Sequence, residues 1–170
     1  GLPLWRTARH RMVVERVVPE GPGVVSVIVK GREMDRLAGA GQFLTWRFLD
    51  RAGWTRGQPY SLSAAPTRTR ARITVKALGD GSSALARLRP GSRVMVEGPY
   101  GRLHAGVRTR RKVTLIGSGI GITPLRALLE EFEQQPGEIT LIYRASTEAD
   151  LVLREELDAL AAHTGARVFY

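Results

Sequence analysis

A glycine-rich run, Gly117-Ser118-Gly119-Ile120-Gly121-Ile122-Thr123-Pro124, stands between a short apolar stretch and a stretch of helical periodicity. A turn of this kind at a helix start presents backbone N–H groups and the positive end of the helix dipole, which together suit an anion such as phosphate. Glycines let that anion approach the main chain closely. The spacing departs from G-x-G-x-x-G, because Ile122 stands where the third glycine belongs. The next apolar stretch ends in Arg144, not in an acid that would bond a ribose hydroxyl. The run is either a nucleotide loop of a different type or a tight turn with no ligand, and its strand–turn–helix context favours binding. A second turn, Gly79-Asp80-Gly81-Ser82-Ser83, opens a short helical stretch with Leu85 and Leu88 that Pro90 ends. It could cradle a phosphate, although an exposed turn with a serine cap is the commoner case. Third is Pro59-Tyr60-Ser61-Leu62-Ser63. A tyrosine beside hydroxyls could stack on a flat ring and bond its edge, while taken alone an ordinary strand with an interfacial tyrosine is the simpler reading.

Two kinds of element must position these groups. Up to about residue 100, β-branched and alternating runs dominate: His10–Val18, Val24–Lys30, Gln42–Leu49, Tyr60–Ser63, Arg72–Lys76 and Arg93–Glu97. Glycine and proline turns separate them, which suggests a barrel or sandwich. After Arg111 the pattern changes. Val113–Ile116 is a short apolar strand, followed by the glycine run and a helix with Leu125, Leu128, Leu129 and Phe132 on one stripe. Thr123 is placed to cap that helix, with Pro124 at its first position. Glu138–Tyr143 reads as a second strand. Thr147 is placed to cap a second helix carrying Leu153, Leu157 and Leu160, closed by Gly165. Ala166–Tyr170 begins a third strand, inside which the sequence stops, and a fragment is expected. Strand–helix–strand–helix–strand is the parallel α/β unit.

Composition narrows the chemistry. Of 170 residues, 43% are hydrophobic, enough for a core, and no cysteine is present. That excludes disulfides, thiolate metal sites and a cysteine nucleophile. The charge is +10, and all but Lys30, Lys76 and Lys112 of the 26 basic residues are arginines. Arginine suits phosphate and carboxylate, so phosphorylated cofactors, an acidic protein, an anionic membrane surface or nucleic acid come first as partners. No apolar run is long enough to span a bilayer, and Gly1–Arg6 is not a signal peptide.

Taken in order, Gly41-Gln42-Phe43, Pro59-Tyr60-Ser61-Leu62-Ser63, Thr74-Val75-Lys76, Gly79-Asp80-Gly81-Ser82, Glu97-Gly98-Pro99-Tyr100-Gly101 and Gly119-Ile120-Gly121-Ile122-Thr123-Pro124 make the chain resemble the ferredoxin–NADP reductase superfamily. Within it, the chain looks most like the cytosolic dehydrogenase domain of bacterial ferric reductase and NADPH-oxidase-like proteins. The resemblance implies a six-stranded antiparallel Greek-key barrel binding FAD over residues 1–107. It also implies the N-terminal part of an NAD(P)-binding parallel α/β domain over 112–170, joined by a basic hinge near Arg108–Lys112. Tyr60, with Pro59, would pack along the flavin, and Ser61 would contact its edge. Thr74, Val75 and Lys76 would line the cofactor with backbone groups, and Gly81, Ser82 and Ser83 would hold its pyrophosphate. Gly117, Gly119 and Gly121 would pass under the NAD(P)H. Thr123, next to Pro124, would face the nicotinamide, and Arg144 would meet a phosphate. Ser61 and Thr123 are thus the candidate catalytic contacts. Gln58 departs from the family, which commonly has Arg or His two residues before the tyrosine; it can give a phosphate an amide hydrogen bond but no charge.

The implied activity is hydride transfer from NAD(P)H to flavin, then single electrons to an acceptor: a haem-bearing membrane domain, a ferredoxin-like protein or a ferric complex. The implied location is cytoplasmic, at a membrane face only through a segment outside this chain. The alternatives are a non-catalytic interaction or regulatory domain of the same fold, and a basic nucleic-acid-binding barrel supported by charge alone. The last is disfavoured, since the basic runs lack interleaved aromatics. His10, His104 and His163 are too scattered for a metal site. Glu130, Glu131, Glu133, Glu155 and Glu156 read as exposed helix faces.

Overall fold

The computed structural model describes residues 9–50, 53–77 and 80–170. Gly1–Arg6 and Gly79, both considered above, lie outside the described residues. In chain order the elements are β1 (Val13–Gly21), β2 (Val24–Lys30), β3 (Phe43–Asp50), β4 (Gly53–Trp54), β5 (Gln58–Ser61), β6 (Arg70–Lys76), α1 (Asp80–Leu85) and β7 (Val94–Tyr100). They continue with β8 (Val113–Ser118), α2 (Ile122–Glu131), β9 (Ile139–Arg144), α3 (Arg154–Thr164) and β10 (Arg167–Phe169).

The antiparallel strands form two sheets, β1-β2-β6 and a second in which β3 pairs with β4, β5 and β7. The expected closed six-stranded barrel is not formed. Its two seams narrow to single bridges, Val13–Arg93 and Leu62–Ile73. The second seam is short for a physical reason: β5 has only four residues, and its Pro59 has no N–H to give a ladder. Flanking bonds, Ser63 N–H to the Arg72 carbonyl (2.9 Å) and Val14 N–H to the Ser92 carbonyl (2.8 Å), hold the sheets together. Alternation along β3 turns Leu44, Trp46 and Phe48 inward, and they are fully buried. The Trp46 indole N–H donates to the Tyr60 carbonyl at 3.1 Å, so the core directly anchors β5.

The C-terminal lobe is a parallel sheet, β10-β9-β8. Leu125, Leu128 and Leu129 of α2 and Leu157 of α3 are buried with Leu115, Leu141 and Tyr143 on one face of that sheet. The opposite face carries exposed Ile116, Ile142 and Phe169. α3 ends as expected: Gly165 takes the left-handed conformation, φ 77°, and its N–H bonds the Ala161 carbonyl. Neither expected threonine cap forms. A 3-10 turn, Gly119–Gly121, runs straight into α2, so Gly121 is the cap residue and Thr123 lies inside the helix, 6% exposed. Pro124 is tolerated there because first-turn N–H groups have no intrahelical partner. Thr147 instead precedes a 3-10 turn, Glu148–Asp150, and donates to Asp150 at 2.9 Å.

The lobes are packed together. Val24 of β2 belongs to the C-terminal core. Glu156 of α3 receives the Arg72 guanidinium of β6 at 2.8 Å and that of Arg126 at 3.1 Å. Glu130 and Glu131 accept the backbone N–H groups of Ala65 (2.7 Å) and Ala40 (3.1 Å). Three carboxylates expected as idle helix surface therefore tie the halves together. No helix among the described residues is long and apolar enough to cross a membrane.

Candidate functional site

The inward parity of β5 puts Gln58 and Tyr60 opposite Trp46 and Leu44 of β3. Tyr60 is partly buried, with one side packed on the β core. Burial pushes its phenol pKa up, and the hydroxyl donates to the Gln58 side-chain oxygen. Arg56, Gln58, Tyr60 and Leu85 surround, with Thr55, Trp46 and Phe48, one crevice too tight to admit a water molecule. The crevice brings the tyrosine strand and α1 side by side, which sequence order alone does not show. Ser61 pairs with Phe43 and, by strand alternation, faces away from Tyr60. The two side chains therefore do not share a face; β5 ends at Ser61, where backbone and hydroxyl are both near the strand tip.

Thr74 and Val75 are buried, 4% and 3% exposed. The Thr74 hydroxyl is engaged by Ser26 (2.7 Å) and Ser63 (2.8 Å), so its side chain is part of the fold. Their strand, however, is the outer one of its sheet. Beyond the Leu62–Ile73 bridge no strand among the described residues pairs with the outer edge of β6, and of Thr74–Lys76 it is Lys76 that is exposed there. Ser82 and Ser83 lie in α1 and are half-buried; Gly81 is also in that helix.

The second group of candidates collects at the carboxyl end of the parallel sheet. Ser118, at the end of β8, is in register with Arg144, at the end of β9, so the glycine turn and the arginine emerge side by side. The three glycines differ. A Cβ on Gly117 would stand 2.9 Å from Leu125, so this glycine serves helix–strand packing. At Gly119 and Gly121 a Cβ would meet nothing within 4 Å, so the backbone faces open space. Ile122, which breaks the three-glycine spacing, is fully buried in the core. Arg144 is exposed and lines a cleft with Thr147, Glu148, Arg154 and Tyr170. The Gly119–Gly121 turn packs against β6, so the two groups of candidates are neighbours.

The donor set fits the cofactors implied by the landmarks. An aromatic ring with one free side, an amide and an exposed guanidinium suit a flavin and its phosphates. The crevice is too small to enclose three fused rings, so the ring would lie over Tyr60 from the solvent side. The open glycine backbone beside Arg144 suits a second diphosphate at the position where α/β sheets bind nucleotides. Residues missed in the sequence are Arg56 and the Arg72–Glu156–Arg126 cluster. Arg56 had no periodic signal, since it stands in the loop before β5. The cluster had none, being assembled from three distant segments.

Residues 115–170 match the family model for the oxidoreductase NAD-binding domain. In fold, the chain is similar to the flavohem-like FAD/NAD-binding domain of nitric oxide dioxygenase from Vibrio cholerae, with TM-score 0.78 and 23% identity over 92% of this chain and 71% of that one. It is also similar to a ferredoxin–NADP+ reductase from Neisseria gonorrhoeae with bound FAD and NADP, at TM-score 0.75 and 21% identity over 92% and 65% of the two chains. The chain shares the fold of these two solved structures. By sequence, the chain is 38% identical over 81 residues to a probable dihydroorotate dehydrogenase B (NAD(+)) electron transfer subunit of Thermococcus kodakarensis, covering 48% of this chain and 34% of that protein. It spans roughly a third of the length of the first curated relatives that it matches.

Proposed function

We propose that this chain is the flavin-binding half, with the start of the nucleotide-binding half, of an NAD(P)H-dependent flavoprotein oxidoreductase. Residues 1–107 hold FAD, and residues 112–170 begin the NAD(P)H domain. The observation that carries this reading is adjacency: the turn Gly119–Gly121 rests against β6, whose outer edge leads toward Tyr60. Two cofactors held at those places come within reach of one another, which is what hydride transfer needs.

A bound flavin supplies the redox chemistry, accepting a hydride and releasing electrons one at a time. The chain's residues do the rest. Tyr60 provides a stacking face kept rigid by the Trp46 bond to its carbonyl. Ser61, at the strand tip, offers a hydroxyl to the ring edge. Thr74–Lys76 offer backbone groups, and Gly81, Ser82 and Ser83 lie beside the phosphates. Gly119 and Gly121 admit the nucleotide diphosphate, Arg144 neutralises it, and Thr123 with Pro124 lies in the first turn of α2 below the nicotinamide. No general base is required for hydride transfer, and Glu130, Glu131 and Glu156 are engaged in structural pairing at the lobe junction. The acceptor is a one-electron centre, haem, ferric iron or an iron–sulfur cluster, in line with the ferric-reductase-like landmarks.

The test is anaerobic titration of FAD-loaded protein with NADH and with NADPH. Bleaching of the flavin absorbance by either nucleotide supports the reading. A loaded protein that neither nucleotide bleaches leaves a flavin-binding module without reductase activity, and colourless protein that takes up no FAD overturns the reading.

A further inference from the structure

Gln58 stands two residues before Tyr60, where the family that the chain resembles commonly has Arg or His, so a diphosphate at this site meets no cation from that position. We infer that Arg56 supplies that charge. The inference rests on the flavin reading above and concerns one residue of that site.

Three observations carry it. First, Arg56 stands in the loop just before β5, around the same crevice as Gln58, Tyr60 and Leu85 of α1. Second, its guanidinium is exposed and makes no ion pair among the described residues. Arg47 is committed elsewhere: it bonds Glu97 at 3.1 Å and stands over Gly57, where a Cβ would meet it at 2.8 Å. Third, Gln58 is itself constrained. Its side-chain oxygen accepts the Tyr60 hydroxyl, so only the amide N–H groups remain to donate. Gln58 thus contributes a neutral hydrogen bond and Arg56 the charge.

The experiment measures flavin affinity by fluorescence quenching for the wild type, Arg56→Gln and Arg56→Gln/Gln58→Arg, each with FAD, FMN and riboflavin. Arg56→Gln weakens FAD and FMN by about tenfold and leaves riboflavin unchanged, because riboflavin has no phosphate. The double variant regains FAD affinity, and raising the salt concentration narrows the gap between wild type and Arg56→Gln. Equal FAD affinity for wild type and Arg56→Gln overturns the inference while leaving the flavin site intact. So does an equal loss for riboflavin, which would make Arg56 a packing residue. A wild type that binds none of the three overturns the flavin reading itself.

Discussion

At Gly119 the backbone is left-handed, φ 56°, with open space where a side chain would start; at Gly121 the space is equally open but φ is −62°. The two glycines are therefore separable by mutation. Gly119→Ala is strained and costs about 1 kcal/mol in chemical denaturation. Gly121→Ala leaves stability near wild type, yet places a methyl where the nucleotide approaches and weakens NAD(P)H binding. Loss of stability at Gly121, with binding unchanged, would assign that glycine to the fold instead. Residue types at this scale were legible in proportion to how local their roles are. The glycine turn and Tyr60 stand out because one short segment contains the whole signal. Thr123 looked like a cap because its type and its proline neighbour fit that role, but the preceding 3-10 turn already starts the helix. Arg56 was hidden by the departure at Gln58, the place where a charge was expected.

Elements with a clear hydrophobic period were legible, and those defined by long-range pairing were not. α2 follows from its leucine stripe and β2 from its β-branched run, whereas of the stripe expected for α3 Leu157 and Leu160 lie in the helix and Leu153 stands before it in the left-handed conformation. β4 has two residues and no period to detect. Barrel closure depends on how β5 meets β6 across a proline-bearing strand, which no local pattern encodes. Nor did any pattern disclose the ionic tie between lobes. Burial pushes the Glu156 carboxyl up, but the hydrogen bond and charge of Arg72, with the charge of Arg126, outweigh it and hold the carboxyl below its ordinary value of 4.5. A lowered pKa in the fold means stability that is present above 4.5 and lost as pH falls through the folded value. Glu156→Gln therefore costs on the order of 1–2 kcal/mol at neutral pH, given partial exposure of the pair. The difference in melting temperature between wild type and variant narrows below pH 4.5. A difference that stays constant with pH would remove Glu156 from the tie.

For the whole molecule, the excess of ten positive charges is the property most readily tested in solution. Such a surface speeds encounter with acidic acceptors and is screened by salt. With an acidic one-electron acceptor protein, kcat/KM falls roughly tenfold as ionic strength rises from about 10 mM to about 150 mM, while flavin reduction by nucleotide alone changes less. A flat salt profile would mean that the arginines do not steer the acceptor. Underneath this stands the claim that a flavin lies against Tyr60. Equilibrium dialysis against FAD tests it most directly: the wild type retains one FAD per chain, and Tyr60→Ala lowers the affinity about tenfold by removing the stacking face. A wild type that retains no FAD, or a Tyr60→Ala variant that binds it as tightly as the wild type does, contradicts the account.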